Sequence, residues 1–344
     1  MGSRRLKDLD LTKLLQAVSM CKANQLNIMA RDTYNPYSSR KILCYFQERT
    51  KFLHILDLKD LLVSTESKLT LNFTKVELNI KNKILDTHSS VIDSYGNIYL
   101  IGGCDPAKDY QEVKDIFGYD FEKKTLILRG QMNTARSGHS CCIVRENIYI
   151  VGGFNGEKTV KSCEKFNTIT GTCEYIANLN TNIAYATVVS FDDQYLYKFG
   201  GCIDLGKLDD NIERYNIALD RWEIMRLSPS IRKQYRPMCF SAGVQINDKD
   251  IYIFGGNYDY LGEKTSQSYI FRIQNDEKGN TQFVNIDKFP LPIAERFDCN
   301  NQVIVYDNHL FCLQNLKKPK KEIKKGEFAK RILICDGNSW ILVS

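Results

Sequence analysis

Three arginines stand just ahead of apolar runs in this chain: Arg136 in Ala135-Arg136-Ser137-Gly138-His139, Arg236 in Tyr235-Arg236-Pro237 and Arg296 in Glu295-Arg296-Phe297. A planar guanidinium grips carboxylates through paired hydrogen bonds and stacks on aromatic rings. Arginines at recurring positions therefore suit one of two tasks, reading an acidic partner or tying loops to backbone carbonyls. Tyr110, Phe154, Tyr235, Tyr258, Tyr260 and Phe297 fall in the same set of expected loops, and aromatic residues with arginine are the usual anchors of protein interfaces. A second concentration of charge lies at Lys317, Lys318, Lys320 and Lys321. From residue 317 to 331 there are eight basic and two acidic side chains, a net +6 that equals the formal charge of the whole chain. Such a run attracts acidic protein segments through long-range fields. Nucleic acid fits it poorly, because Phe328 is the one aromatic available for stacking there.

Chemistry of other kinds finds little support. The four histidines, His54, His88, His139 and His309, are scattered, and the twelve cysteines include no Cys-x-x-Cys pair. Ordered Cys/His spacing for zinc is absent. Cys44, Cys141, Cys142, Cys239, Cys312 and Cys335 lie in apolar runs and read as small buried hydrophobes in a reduced, cytoplasmic protein. No nucleophile elbow, zincin helix or phosphate loop occurs, and loop acids such as Asp209 and Asp210 read as solvated surface. No cofactor or metal is expected. The longest apolar runs are too short to span a bilayer, and the Met1-Gly2-Ser3-Arg4-Arg5 start has no apolar leader.

The elements that must position these residues repeat. Ile98-Tyr99-Leu100-Ile101-Gly102-Gly103, Ile148-Tyr149-Ile150-Val151-Gly152-Gly153, Leu196-Tyr197-Lys198-Phe199-Gly200-Gly201 and Ile251-Tyr252-Ile253-Phe254-Gly255-Gly256 are near copies, their first glycines 50, 48 and 55 residues apart. Weaker copies, Ile42-Leu43-Cys44-Tyr45-Phe46-Gln47 and Leu310-Phe311-Cys312-Leu313-Gln314-Asn315, flank them at similar intervals. Around each copy runs the same grammar: an apolar strand, a turn, the aliphatic-Tyr strand, then two further strands such as Glu213-Arg214-Tyr215-Asn216 and Arg221-Trp222-Glu223-Ile224. Short strands at this spacing predict an all-β chain of repeated sheets. A double glycine closing a buried strand permits positive φ and close backbone approach between neighbouring units.

This pattern resembles the kelch repeat, in which Gly-Gly, a downstream Tyr/Phe-Asp/Asn, an aromatic such as Trp and an Arg before the next strand recur. Gly255-Gly256, Tyr215-Asn216, Trp222 and Arg236 stand in those places. The resemblance covers residues 25–344 and implies a six-bladed β-propeller, its first and last blades degenerate, with the loops after Gly-Gly and those before each first strand on one face. The expected function is a non-catalytic protein-interaction scaffold or adaptor that binds partner proteins through this loop face, and the basic run of residues 317–331 suggests a cytoskeletal or other large assembly. The alternative is a propeller enzyme acting on a small molecule such as a sugar. Residues 1–24 form a separate segment, where Leu11, Leu14, Leu15, Val18 and Cys21 follow helical spacing and predict a short amphipathic helix.

Overall fold

The computed structural model describes residues 42–58, 74–204, 207–258, 268–275, 281–288, 303–306, 309–315, 330–335 and 340–343. The predicted N-terminal helix lies outside these residues.

Within them the chain builds six main antiparallel sheets in sequence order. The first has three strands, Ile42–Gln47, Phe52–Asp57 and Thr74–Glu77; each of the other five has four. The second sheet runs Ser89–Ile92, Ile98–Ile101, Asp115–Asp120 and Thr125–Gln131. The third runs Ser140–Val144, Asn147–Val151, Cys163–Asn167 and Cys173–Ile176, and the fourth Thr187–Phe191, Tyr195–Phe199, Glu213–Asn216 and Arg221–Ile224. The fifth begins with Ala242–Gln245 and Asp250–Phe254, and the sixth with Val303–Tyr306 and His309–Asn315. Each strand pairs with its sequence neighbour inside its sheet, so every sheet is an up-and-down meander.

Local sequence explains the turns. Asp120, Asn167 and Asn216 each end a third strand and accept backbone N–H groups two or three residues on with their side-chain oxygens. Asx turns of this kind close the chain tightly before the fourth strand. The second strands are mostly apolar because both faces are covered: Ile98–Ile101 is buried at every position. Neighbouring sheets supply that cover. Tyr197 and Phe199 of the fourth pack with Ile251, Ile253, Tyr269 and Phe271 of the fifth. Tyr149 and Val151 of the third likewise join Leu196, Tyr215 and Trp222 of the fourth. Burying each such side chain stabilises the fold by roughly 1.5–3 kcal/mol.

Lys198 breaks the apolar pattern of its strand and is nonetheless fully buried. Cys104, Cys142, Cys163, Cys173 and Cys202 are free thiols. No helix among the described residues is long and apolar enough to cross a membrane.

Candidate partner-binding face

Where the aliphatic-Tyr strands of the second, third and fourth sheets end at Gly-Gly, the chain meets the segment leading into the next sheet. Gly103, Gly153 and Gly201 donate their N–H groups to the carbonyls of Arg136, Ile183 and Met238 at 3.0, 2.8 and 2.9 Å. The first glycine of each pair passes as close: a Cβ on Gly152, which has φ +61°, would lie 2.4 Å from Ile183 O. Any side chain there would collide with the neighbouring sheet's backbone.

Two residues before the first strand in each of the second to fifth sheets sits a residue in the left-handed region: Thr87, Gly138, Tyr185 and Phe240, with φ of 49°, 58°, 56° and 55°. They are joined head to tail. Gly138 N–H donates to Thr87 O, Tyr185 N–H to Gly138 O, and Phe240 N–H to Tyr185 O. Just inside this chain of bonds, hydroxyls at the strand starts do the same. Ser89, Ser140 and Thr187 donate to the carbonyls of His139, Ala186 and Ser241 at 2.7, 2.6 and 2.7 Å. The inner strands of the second to fifth sheets are thereby laced edge to edge. Left-handed backbone costs a non-glycine residue about 1–2 kcal/mol, so Tyr185 and Phe240 are held there by their surroundings. Their rings pack 4.3 Å apart at 32°, and Gly138 leaves room for Tyr185, whose ring a Cβ would meet at 2.5 Å.

The sequence-predicted residues meet different fates. Arg136 is fully buried. Its guanidinium donates to Gly152 O (2.7 Å), Ser162 O (2.8 Å), Ser162 Oγ (3.1 Å) and the Glu164 carboxylate (2.5 Å). Glu164 also accepts from the backbone N–H groups of Asn133 and Thr134. Arg136 thus clamps the segment leading into the third sheet onto that sheet, and its side chain is no part of the surface. Arg236 is exposed, with its guanidinium carbon 3.6 Å from the centre of the Tyr258 ring. The two arginines do not occupy corresponding places, contrary to the spacing argument. Met238 accepts from Gly201 as Arg136 accepts from Gly103, so Arg236 stands two residues ahead of the Arg136 position. Tyr235 is buried behind the short helix Pro229–Gln234, edge-on to Tyr269 and Phe271, and burial pushes its hydroxyl far above the usual tyrosine range. It belongs to the core. Tyr110 is 52% exposed in the connection after Gly102-Gly103, its hydroxyl 3.4 Å from Arg49 Nη2. Arg49 in turn pairs with the buried Asp86. Phe154 is half-buried and bridges Ser137 and Thr159. Arg296, Tyr260, Phe297, Lys317, Lys318, Lys320 and Lys321 lie outside the described residues.

Sequence reasoning missed Tyr185 and Phe240. The signal was present, since both stand two residues before a first strand, as Thr87 and Gly138 do. The histidines of this region face inward. His88 and His139 are fully buried, and neither ring nitrogen of His139 meets a hydrogen-bond partner. Burial, aided by Arg136 and His88 nearby, lowers the His139 pKa to about 3, so the ring is neutral. Among the described residues no cluster of His, Cys, Asp or Glu could hold a metal ion.

Known proteins resemble this chain both in sequence and in fold. A sequence profile described as the KLHDC2/KLHL20/DRC7 Kelch-repeats domain matches residues 50–256. The chain belongs to the kelch-repeat family. Among curated relatives, Kelch-like protein 35 of Mus musculus is 26% identical over 160 residues, 46% of this chain and 25% of that protein. Beta-scruin of Limulus polyphemus is 29% identical over 135 residues, 36% of this chain and 14% of that protein. This kelch chain therefore aligns with a quarter or less of the length of either relative. The solved structure of YjhT superposes with a TM-score of 0.60 over 89% of this chain and 98% of its own, at 13% identity, which supports the kelch fold.

Proposed function

We propose that this kelch domain is a six-bladed, non-catalytic, cytoplasmic interaction module that binds partner proteins with the face bearing the Gly-Gly ends. The observation that carries this reading is the gathering of aromatic and arginine side chains on that face. The half-buried Tyr185, resting on the buried Phe240 ring, the exposed Tyr110 and the Arg236–Tyr258 stack stand on connections fixed by backbone bonds to the laced inner strands. Rigid aromatic anchors flanked by polar loops are what a protein interface uses. Arg236 and the basic run of residues 317–331 favour a partner with an acidic segment. The inward-facing neutral His139 offers no exposed acid or base for catalysis.

The test is capture of partners by the immobilised protein, followed by affinity measurement with a purified captured partner. Tyr110→Ala and Arg236→Ala are expected to weaken binding at least about tenfold while leaving the melting temperature in place. Capture at full affinity by the double variant would remove this face as the interface. Stoichiometric turnover of a sugar or other small molecule would remove the non-catalytic reading.

A further inference from the structure

The buried ion pairs of the third and fourth sheets are built on one plan with the cation moved. In the third, Glu164 stands opposite Ile150 across the second and third strands. It accepts from Asn133 N (2.6 Å) and Nδ2 (3.1 Å), and Arg136 supplies the positive charge while also reaching Ser162 O. In the fourth, Glu213 occupies the Glu164 place and accepts from Asn180 N (3.0 Å) and Nδ2 (2.7 Å). The residue in the Arg136 place is Ile183, which accepts from Gly153 N–H as Arg136 accepts from Gly103 N–H. The cation comes instead from Lys198, which takes the Ile150 place opposite Glu213. Its Nζ reaches Asn211 O at 3.1 Å, just as Arg136 reaches Ser162 O. The exchange has a second half. Asp209 stands where the third sheet has Val160, since both donate N–H to the second glycine of their pair. Its carboxylate meets Lys198 Nζ at 2.5 Å and accepts from Asn211 N and Nδ2. Lys198, Asp209 and Glu213 are all buried.

We infer that Lys198 is a positioning residue of the Gly-Gly face, an ionic latch that holds the returning part of the fourth connection, residues 207–212, through Asp209. Where the third sheet anchors that stretch through an apolar Val160 and a clamp reaching in from the preceding segment, the fourth anchors it from its own second strand. The charge has to be met locally, because a buried lysine without its carboxylate is strongly disfavoured. The face reading gives the latch its use, but the latch itself is measured without any partner.

Amide hydrogen exchange on the whole chain provides that measurement. Asp209→Asn keeps the size of the side chain and removes its charge. Exchange across residues 207–212 should then rise about tenfold or more, with the strands Ser140–Val144 and Asn147–Val151 unchanged. Unaltered exchange at 207–212, or an equal rise in every sheet, would overturn the latch. A second variant series guards against simple misfolding. Lys198→Ile should lower the melting temperature, and adding Ile183→Arg with Asp209→Val, which copies the third sheet's arrangement, should recover at least half the loss. No recovery would overturn the inference. If Asp209→Asn loosens 207–212 while a partner still binds at full affinity, the latch stands and the binding face proposed above must exclude this connection.

Discussion

Arg136 and Arg236 look alike in the sequence, each a lone arginine shortly before an apolar strand, yet the protein uses them in opposite ways. Around Arg136 everything is protein: three backbone carbonyls, one hydroxyl and one carboxylate take up the guanidinium, and no part of it reaches water. Around Arg236 the ring of Tyr258 covers one side, and the residue remains exposed. Two residues of register separate these outcomes. Arg136 stands where its own carbonyl receives the Gly103 N–H and its side chain turns inward; Arg236, two residues short of the corresponding place, stays exposed.

Substitutions at Arg136 should break the comparison hardest. Arg136→Ala leaves Glu164 as a buried charge without its counterion, and truncating one member of such a pair costs about 3–5 kcal/mol. Denaturant melts should show that loss, and Arg136→Lys should recover only part of it because the fork is gone. A wild-type melt for Arg136→Ala would mean that the clamp is not what seats the third sheet.

Gly152→Val should come next. Its Cβ would press on Ile183 O in a left-handed backbone conformation, and strain plus crowding should cost a few kcal/mol. Loss of cooperativity between the third and fourth sheets in a thermal melt would place the damage at the predicted seam.

Acid should weaken the same region more gradually. The folded protein holds His139 neutral down to about pH 3, whereas an unfolded histidine protonates near pH 6.5. The folded state therefore binds fewer protons, so this contribution is present above about pH 6.5 and is lost as pH falls toward 3. The slope approaches about 1.4 kcal/mol per pH unit. His139→Leu should flatten stability between pH 6 and 4, above the window where Asp250, held below its usual range by Arg272, begins to protonate. An unchanged slope in His139→Leu would assign the acid sensitivity elsewhere.

At Arg236 the expectation reverses. Arg236→Ala should shift stability by no more than about 1 kcal/mol, the worth of an exposed cation–π contact, and show its effect in partner affinity. Smallest of all should be the effect of replacing Lys317, Lys318, Lys320 and Lys321 by Ser. Stability should hold, and only the salt dependence of binding an acidic partner should flatten. A large stability loss in either would turn the comparison around.

Much of this protein is written in short-range patterns. The aliphatic-Tyr-x-x-Gly-Gly copies, the Asx residues closing the third strands of the second to fourth sheets and the runs of buried residues determine strand order, turn positions and family by local chemistry. Cysteine burial is legible only in part: Cys44 and Cys239 are buried as their apolar runs predict, but Cys141 and Cys142 are only half-buried, while Cys104, Cys163 and Cys202 are buried without an apolar run around them. Which side chains meet between sheets was decided elsewhere. Tyr185 and Phe240 became neighbours through hydrogen bonds between sheets some fifty residues apart in sequence, and no window of the chain contains both sides of that contact. Lys198 reads as an error in an apolar strand until Asp209 and Glu213 are brought around it. Tyr235 and Arg236 are adjacent in sequence and differ in exposure because one packs behind a short helix while the next emerges beyond it. Periodicity tells which residues leave water in bulk. Which polar groups accompany them is settled only where two sheets meet, since a buried charge is tolerable only beside the partner that the neighbouring strand or segment provides.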